Sequence, residues 1–499
     1  MQLQLVSPMS TPRIRIIRGT ILLALGWLLS AAPIQAAEAA VARLNVLFIM
    51  ADDLNHWVGY TGRNKQTITP HIDRLSATGM SFTHANCAAP VCNPSRTALF
   101  SGLRPGSTGV YGNAQDWRPA VPADLTLITT LRRSGYEMLG AGKLYHMGWD
   151  RREEYNDYLV EKTSGRGSPL VTPQEFSQVI FAPLAGDDEG MPDYHVANYG
   201  IAQLAKAHDK PFFLGIGFHK PHPPFMVPKK YFDLHPLDAI ELPPYREDDL
   251  DDIPSVGQRK AIGAGTHEAI VKAGQWKAAV QSYLATISFV DAQIGRVLDA
   301  LEKSPYRDNT IVVLLGDHGW ELGEKHHWGK TTLWEEVARA PLIWRVPGLT
   351  KPGSLCARTV DFMSIYPTLT ELCGAPTPNH VQGVSIKPLL ADPQAPWERP
   401  GVTTSQQGQH SIRTARWRYI RYQDGTHELY DEIADPFEWT NLAGKKELAG
   451  IIEELAVWLP KENKTGLQPS AGGLEEGENP ASKGDGAGRR KTRAEKKSR

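Results

Sequence analysis

The sequence predicts an α/β protein with a mostly parallel central sheet, helices on both faces and a small antiparallel sheet near the C-terminus. Short apolar runs typical of buried parallel strands alternate with helical segments up to about residue 390. Polar residues follow several of these runs directly, and the carboxyl ends of strands carry the sites of open α/β sheets. Beyond a proline-rich stretch at 391–400, alternating segments at 411–421 and 427–431 predict the small sheet.

Composition divides the 499 residues into four regions. Residues 1–39 resemble a secretory signal peptide, because arginines precede an apolar run at 20–29 and small residues follow. That run is too short for a membrane span, so we expect an exported, periplasmic or secreted protein without a span in the mature chain. The main, site-bearing domain is expected at 40–392, an α+β subdomain at 393–460 and a disordered, Gly/Ser/Glu/Lys-rich tail at 461–499.

The overall charge points to no particular class of partner. The formal net charge is −1, so nothing in the composition indicates a nucleic-acid or membrane-surface partner. Any binding of a polyanion must therefore come from a local group of residues.

The first strand is the apolar run at 45–50, and it leads directly into Asp52 and Asp53. Carboxylate oxygens are the ligands of hard cations such as Ca²⁺ and Mg²⁺, so this pair indicates a metal site. A helix cap or a turn is the alternative interpretation. Farther along, Thr69 and Pro70 are expected to begin a helix that ends at Gly79.

A short helix is predicted in the stretch from Cys92 to Gly102, with Pro94 at its first helical position and Gly102 just past its end. Cys92 then lies at the helix N-terminus, where unpaired N–H groups favour an anion. Arg96 lies on the same face and carries a fixed positive charge. Only three residues separate the two, whereas a thiolate phosphatase loop needs five, so that class is excluded. A structural buried cysteine remains the alternative.

Two further strands end in basic residues. The strand at 136–141 delivers Lys143 and His146, which could point at one anion or be solvated loop residues. Between these strands, 150–192 is predicted to be a surface insertion and 194–208 a helix. The strand at 211–218 is followed by His219, Lys220 and His222 among prolines, which would hold an acid or base rigidly or simply stiffen a turn.

A long helix is predicted at 276–301 from its apolar stripe, followed by the strand at 310–315. This strand leads into Asp317 and His318, which repeat the pattern of metal ligands at a strand exit. Trp320 follows in the next loop, and a charged loop ends at Lys330. Helices at 125–134, 361–374 and 448–459 and a strand at 341–346 complete the expected elements.

Taken together, these segments resemble the type I, formylglycine-dependent sulfatases. The motifs that occur in the order of that family are Asp52-Asp53, Cys92-x-Pro-Ser-Arg96, Gly142-Lys143-x-x-His146, His219-Lys220-Pro221-His222, Asp317-His318-Gly319 and Lys330. The resemblance extends from about residue 45 to 430, with departures at 150–192 and in the tail. His318, where many members have Asn, is most similar to the iduronate-2-sulfatase branch. The resemblance implies an alkaline-phosphatase-like fold.

The resemblance also implies a mechanism. A maturation enzyme oxidises Cys92 to formylglycine, whose hydrate attacks sulfur, and His146 is the base for the later elimination of sulfate. Arg96 and Lys143 would hold the nucleophile and the anion, while His219 and Lys330 assist the leaving oxygen. The implied calcium ligands are Asp52, Asp53, Cys92, Asp317 and His318.

The implied substrate is a sulfated oligo- or polysaccharide, with a sulfated uronate expected. His219, Lys220, His222 and Lys330 would contact it, and Trp320 would stack on a sugar ring. The alternatives are a phosphomonoester or phosphodiester hydrolase of the same superfold and an inactive sulfated-glycan-binding protein. If Cys92 is modified, Cys356 and Cys373 remain a possible disulfide pair.

Overall fold

The computed structural model describes residues 43–160 and 167–470. The expected signal peptide at 1–39 and the tail beyond 470 lie outside the described residues. The strands are β1 (Asn45–Asp52), β2 (Met80–Phe82), β3 (Ala85–Asn86), β4 (Glu137–Gly142), β5 (Asp157–Leu159), β6 (Gln174–Phe176), β7 (Val179–Phe181), β8 (Phe212–Pro221), β9 (Thr310–Gly316), β10 (Glu321–Leu322), β11 (Trp328–Gly329), β12 (Leu342–Arg345), β13 (Ser354–Cys356), β14 (Val360–Asp361), β15 (Gly401–Gln406), β16 (Gln409–Arg413), β17 (Trp417–Arg421) and β18 (His427–Asp431).

The helices lie between these strands and after the last of them. They are α1 (Pro70–Thr78), α2 (Cys92–Ser101), α3 (Pro105–Thr108), α4 (Leu127–Arg133), α5 (Pro192–Leu204), α6 (Lys229–Phe232), α7 (Ser255–Ile262), α8 (Thr266–Lys272), α9 (Trp276–Lys303), α10 (Glu335–Ala338), α11 (Ile365–Leu372), α12 (Lys387–Ala391) and α13 (Ala449–Ala456). None of the helices in the described residues is long and apolar enough to cross a membrane.

The central sheet confirms the predicted fold class. Its strand order is β13–β2–β12–β9–β1–β8–β4–β5. The strands β9, β1, β8, β4 and β5 run parallel to one another, and β12 is antiparallel to both of its neighbours. Every residue of β1 is buried, as expected for a central strand covered on both faces.

Successive residues of β1 pack into two different cores, because side chains alternate across a strand. Val46 and Phe48 join a core that includes residues of α2, α4 and α11. Leu47 and Ile49 join a second core built with α1, α5 and α9. Helices therefore cover both faces, and the carboxyl ends of β1, β4, β8 and β9 meet at one edge of the sheet.

The predicted C-terminal sheet is present and has the order β15–β16–β17–β18, with every pairing antiparallel. Strand β15 was not predicted. It contacts the segment before α2, where Thr404 N–H donates to Ala88 O and Thr403 Oγ1 donates to Cys87 O. The described residues from Arg43 to 470 form one compact unit, and the boundary expected at 392/393 stays a prediction.

Several local expectations differ from the structure. Thr69 does not cap α1, because its hydroxyl accepts the N–H of Gly59 instead. Helices α7 and α8 follow a loop and were not predicted. Residues 461–470, expected to be disordered, pair with 106–114 through backbone bonds such as Leu467 N–H to Gly109 O.

The disulfide expectation is wrong. All four cysteines are buried and free, including Cys356 and Cys373. The Sγ of Cys356 instead lies 3.5 Å from Pro393 O.

Candidate active site

The two adjacent aspartates end the central strand at the edge where four strands meet. The register of β1 with β8 shifts between Ala51 and Asp52, so the chain turns out of the sheet there. Asp53 has a φ of 60°, a conformation that is uncommon for a residue other than glycine. It is held there because its N–H donates to Asp317 Oδ1 at 3.0 Å and its carbonyl accepts the hydroxyl of Tyr283 at 2.7 Å.

The predicted cysteine helix is present, and all its residues are buried. Gly102 ends it with a φ of 70°, as expected, whereas Pro94 occupies the third helical position. Cys92 Sγ lies 3.0 Å from Lys330 Nζ and 3.3 Å from His318 Nε2. Burial, with the nearby Asp52, raises the pKa of the Cys92 thiol well above its usual value.

Arg96 lies beneath the cluster and contacts two carboxylates rather than the cysteine sulfur. Its Nη2 donates to Asp52 Oδ1 at 2.9 Å and its Nε donates to Asp317 Oδ2 at 2.8 Å. Lys143 Nζ donates to the other oxygen of Asp52 at 2.6 Å. Burial opposes ionisation of Asp52, but Lys143 and Arg96 hold its pKa well below the usual value. These two cations therefore keep the aspartate charged and fixed.

His318 completes the cluster and has a defined orientation. Its Nδ1 lies 3.0 Å from Gly319 O, so Nδ1 carries the proton and donates it there. Nε2 then faces Cys92 and Asp53 Oδ1, which lies 3.3 Å away. A metal-binding histidine commonly donates its other ring N–H to a carbonyl in this way.

The ligand atoms of the expected metal site converge. Atoms of Asp52, Cys92, Asp317 and His318 lie within 4.8 Å of one another, and a second overlapping group contains Asp52, Asp53, Cys92 and His222. Three carboxylates and an imidazole lone pair in this space fit a divalent cation that prefers oxygen ligands. His222, which sequence analysis assigned to substrate alone, thus belongs to the same cluster.

The end of β8 is fixed by an aspartate that sequence analysis missed. Asp193, at the start of α5, accepts the backbone N–H groups of His219 and Lys220 at 2.8 Å each. Burial raises the pKa of Asp193 to about 6. Burial, together with the neighbouring His222, lowers the pKa of His219 well below its usual value. His219 and His222 lie together, with ring centroids 4.7 Å apart.

Two expected substrate contacts differ in the structure. Lys220 is buried, and its Nζ donates to His222 O and Pro224 O, so it fixes the loop instead of facing a sugar. Trp320 is fully buried, packs against Phe225 and lies beneath the ammonium group of Lys330. A sugar ring therefore has no access to it.

Asn113 connects two parts of the site and was not singled out from the sequence. Its Oδ1 accepts the N–H of Asn93, next to Cys92, at 3.0 Å. Its carbonyl accepts Trp149 Nε1–H at 2.8 Å, and Trp149 N–H donates to His146 O. His146, fully buried, is thereby tied to the start of α2.

The comparisons with known proteins agree with this arrangement. A family model described as sulfatase matches residues 44–375. A second, described as the C-terminal part of N-sulphoglucosamine sulphohydrolase, matches residues 323–465. The latter match covers the small antiparallel sheet, β15 to β18, together with the preceding strands β11 to β14.

Individual proteins give the same result. The chain is 38% identical to a sulfatase of Formosa agariphila, over 86% of this chain and 89% of that protein. It is 30% identical to human iduronate 2-sulfatase, over 68% of this chain and 71% of that protein. A structure solved in complex with D-glucosamine-2-N,6-O-disulfate has a TM-score of 0.65 at 23% identity, covering 83% of this chain and 96% of that one.

The cluster of aspartates, cysteine, histidine and lysine thus lies within the matched residues, on an alkaline-phosphatase-like fold. The chain belongs to the sulfatase family and is a sulfuric ester hydrolase.

Proposed function

We propose that the protein releases sulfate from a sulfated oligo- or polysaccharide, with formylglycine derived from Cys92 as nucleophile and Ca²⁺ as cofactor. The observation that supports this most is the position of Cys92. Its Sγ lies 3.0 Å from Lys330 Nζ and 3.3 Å from His318 Nε2, at the centre of the carboxylate cluster. A nucleophilic oxygen at this position would face both the cation ligands and a fixed positive charge.

Asp52, Asp53, Asp317 and His318 would hold the calcium ion. Bound there, it supplies positive charge that polarises a sulfate oxygen and favours ionisation of a hydroxyl nucleophile. Arg96 and Lys143 support this by keeping Asp52 anionic, and Tyr283 supports it by fixing the backbone of Asp53.

The remaining side chains would donate or accept protons and stabilise negative charge during the reaction. Lys330 carries its ammonium between Cys92 and Asp53, where it can stabilise negative charge on the leaving oxygen or donate a proton to it. Burial lowers the pKa of His219, so its neutral ring can donate an N–H hydrogen bond to the leaving oxygen. His146 would be the base for release of sulfate.

The substrate proposal rests on the relatives and on the local residues. Human iduronate 2-sulfatase is 30% identical, and the N-terminal signal expected from the sequence would export this protein to where sulfated glycans occur. His219 adds a hydrogen-bonding ring beside His222 and the cluster that would hold the metal. A sulfated uronate is therefore the proposed substrate, with neutral sulfated sugars as the competing class.

Release of free sulfate from a panel of compounds tests the proposal. The panel contains uronate 2-O-sulfated oligosaccharides, a neutral 6-O-sulfated monosaccharide and a phosphate monoester of the same alcohol. We expect sulfate release to be fastest from the uronate compounds and the phosphate ester to react slowest. Equal turnover of the neutral sugar would contradict the uronate assignment, and preferential phosphate release would contradict the sulfatase proposal. No release of either anion would favour an inactive glycan-binding protein.

A further inference from the structure

A cleft of about 370 Å³ lies at the edge of the main sheet, between the segment before β14, the proline-rich segment before β15 and the turn between β16 and β17. We call it the Trp397 cleft. Its ionisable lining residues are Arg358, Arg399 and Glu398. It shares no residue with the active site described above.

Two polar atoms in the lining of the Trp397 cleft lack partners. Thr359 is 4% exposed, and among the described residues its Oγ1 has no hydrogen-bond partner. The adjacent Arg358 Nε is also buried without a partner in that part of the chain. Buried polar groups are nearly always satisfied in folded proteins, so a ligand group that reaches these two adjacent donors would complete their hydrogen bonds.

The chemistry of the cleft favours an oxyanion on a sugar. A hydroxyl and a guanidinium N–H are both donors, and Arg399 adds a second exposed positive charge. Trp397 also lines the cleft, and its indole N–H donates to Thr359 O at 2.9 Å, which fixes the ring beside the two donors. An aromatic ring next to anion-binding groups suits a sugar that carries a sulfate or a carboxylate.

The position of the cleft relates it to the active site. Val360, next to Thr359, pairs with Ala85, seven residues before Cys92. That length of chain spans at most about 25 Å. A substrate several sugars long is comparable in length to that distance.

We propose that the Trp397 cleft is a second binding site for the substrate, taking an anionic saccharide unit distant from the sulfate that is cleaved. The inference rests on the proposed function, because it assumes a sulfated glycan as substrate. It goes further by predicting that the enzyme distinguishes long chains from single sugars.

Binding to an inactive Cys92→Ala protein tests this without turnover. The probes are a heparan-type polysaccharide, an unsulfated polyuronate and a sulfated neutral polysaccharide. Thr359→Val and Arg399→Ala are added singly, with Arg259→Ala on α7 as a matched loss of an exposed positive charge. We expect each cleft variant to weaken heparan-type binding about tenfold and Arg259→Ala to change it little. Binding of the unsulfated polyuronate would show that the cleft takes a carboxylate, and binding of the sulfated neutral polysaccharide that it takes a sulfate.

The Thr359→Val variant separates a ligand site from a packing defect. Its hydroxyl has no partner among residues 43–160 and 167–470, so the variant should unfold at the same temperature as the parent or higher. Unchanged affinity for all three polymers in both cleft variants would overturn the proposal. In the active enzyme, the same variants should raise KM for the polymer and leave turnover of a monosaccharide unchanged. Absence of sulfate release from any saccharide would contradict the proposed function, whereas the binding result stands separately.

Discussion

Two buried networks of charge in this protein have similar composition and different consequences. The site cluster contains Asp52, Asp53 and Asp317 with Arg96, Lys143 and Lys330. The second, which we call the junction network, joins α10 to the small sheet. It contains Glu335, Glu432 and Glu438 with Arg413 and Arg418.

The difference lies in where the charged atoms point. In the junction network the two guanidinium groups pair with carboxylates on both sides, for example Arg418 Nε with Glu432 Oε1 at 3.1 Å. In the site cluster, Arg96 and Lys143 bind the carboxylates from one side. Carboxylate oxygens on the other side converge with the sulfur of Cys92 and a ring nitrogen of His318. Among the described residues, groups of ligand atoms within 4.8 Å occur at the site cluster only. Buried charge therefore does not by itself mark a site, whereas convergence of unlike ligands does.

The largest expected effect is on the nucleophile. Cys92→Ala should lower kcat by at least about 10⁴-fold, because the nucleophile is lost while the fold is kept. Cys87→Ala is the matched control, since Cys87 is also buried but lies outside the site cluster. Sulfate release per folded molecule measures both. Full activity of Cys92→Ala would show that the site cluster works without this residue.

Breaking the junction network should affect stability instead. Arg418→Met removes the buried cation that pairs with all three of Glu335, Glu432 and Glu438. Arg413 still pairs with Glu335 and Glu432. The free energy of unfolding should fall by about 3–5 kcal/mol, measured by urea denaturation. Activity per folded molecule should stay unchanged. A selective loss of kcat at unchanged stability would mean that the junction network belongs to the catalytic machinery.

Acid should also act on stability near the junction. Burial lowers the pKa of His56, whose Nε2 lies 3.3 Å from Glu336, to about 4. The imidazole is thus neutral at pH 7, and the contact is not an ion pair. The unfolded chain, with a His pKa near 6.5, binds more protons between pH 6.5 and 4, so stability falls as pH falls through this window.

The contribution of His56 over that window is up to about 3 kcal/mol. His56→Gln should therefore flatten the fall of the unfolding temperature between pH 6.5 and 4, compared with the parent protein. An equally steep fall in the variant would assign the acid sensitivity to other groups.

The smallest of these effects is expected at Asn113, which joins α2 to the turn that carries His146. Asn113→Ala leaves the N–H of Asn93 without its acceptor and should lower kcat about tenfold with KM unchanged. Asn113→Asp keeps the acceptor oxygen and should recover most of the activity. If the Asp variant were no better than the Ala variant, the hydrogen bond would not be the cause.

The strands and the site position could be predicted because their signals are local. Apolar runs end in Asp52, Lys143, His219 and Asp317, and parallel strands bring their carboxyl ends to one edge. The partners of the side chains could not be predicted. Arg96 contacts carboxylates that are 44 and 221 residues away, and this pairing decides that it orients Asp52 and Asp317.

Trp320 and Lys220 show the same limit. Both follow predicted strands. Trp320 packs against Phe225, and the ammonium group of Lys220 donates to carbonyls of the proline-rich loop, so neither side chain is available to the substrate. The tail at 461–470 looked disordered by composition, yet its backbone pairs with 106–114. Such pairing uses backbone hydrogen bonds, which any residue can make, so the residue types do not predict it.

Mass spectrometry of the tryptic peptide 75–96 tests the central claim most directly. This peptide contains both Cys87 and Cys92, so one cysteine serves as an internal reference for the other. In protein made with the maturation enzyme, we predict that a thiol reagent modifies Cys87 alone and that position 92 carries an aldehyde without sulfur. The aldehyde fraction should rise in proportion to kcat across preparations. Fully active protein with two alkylated cysteines would contradict the account.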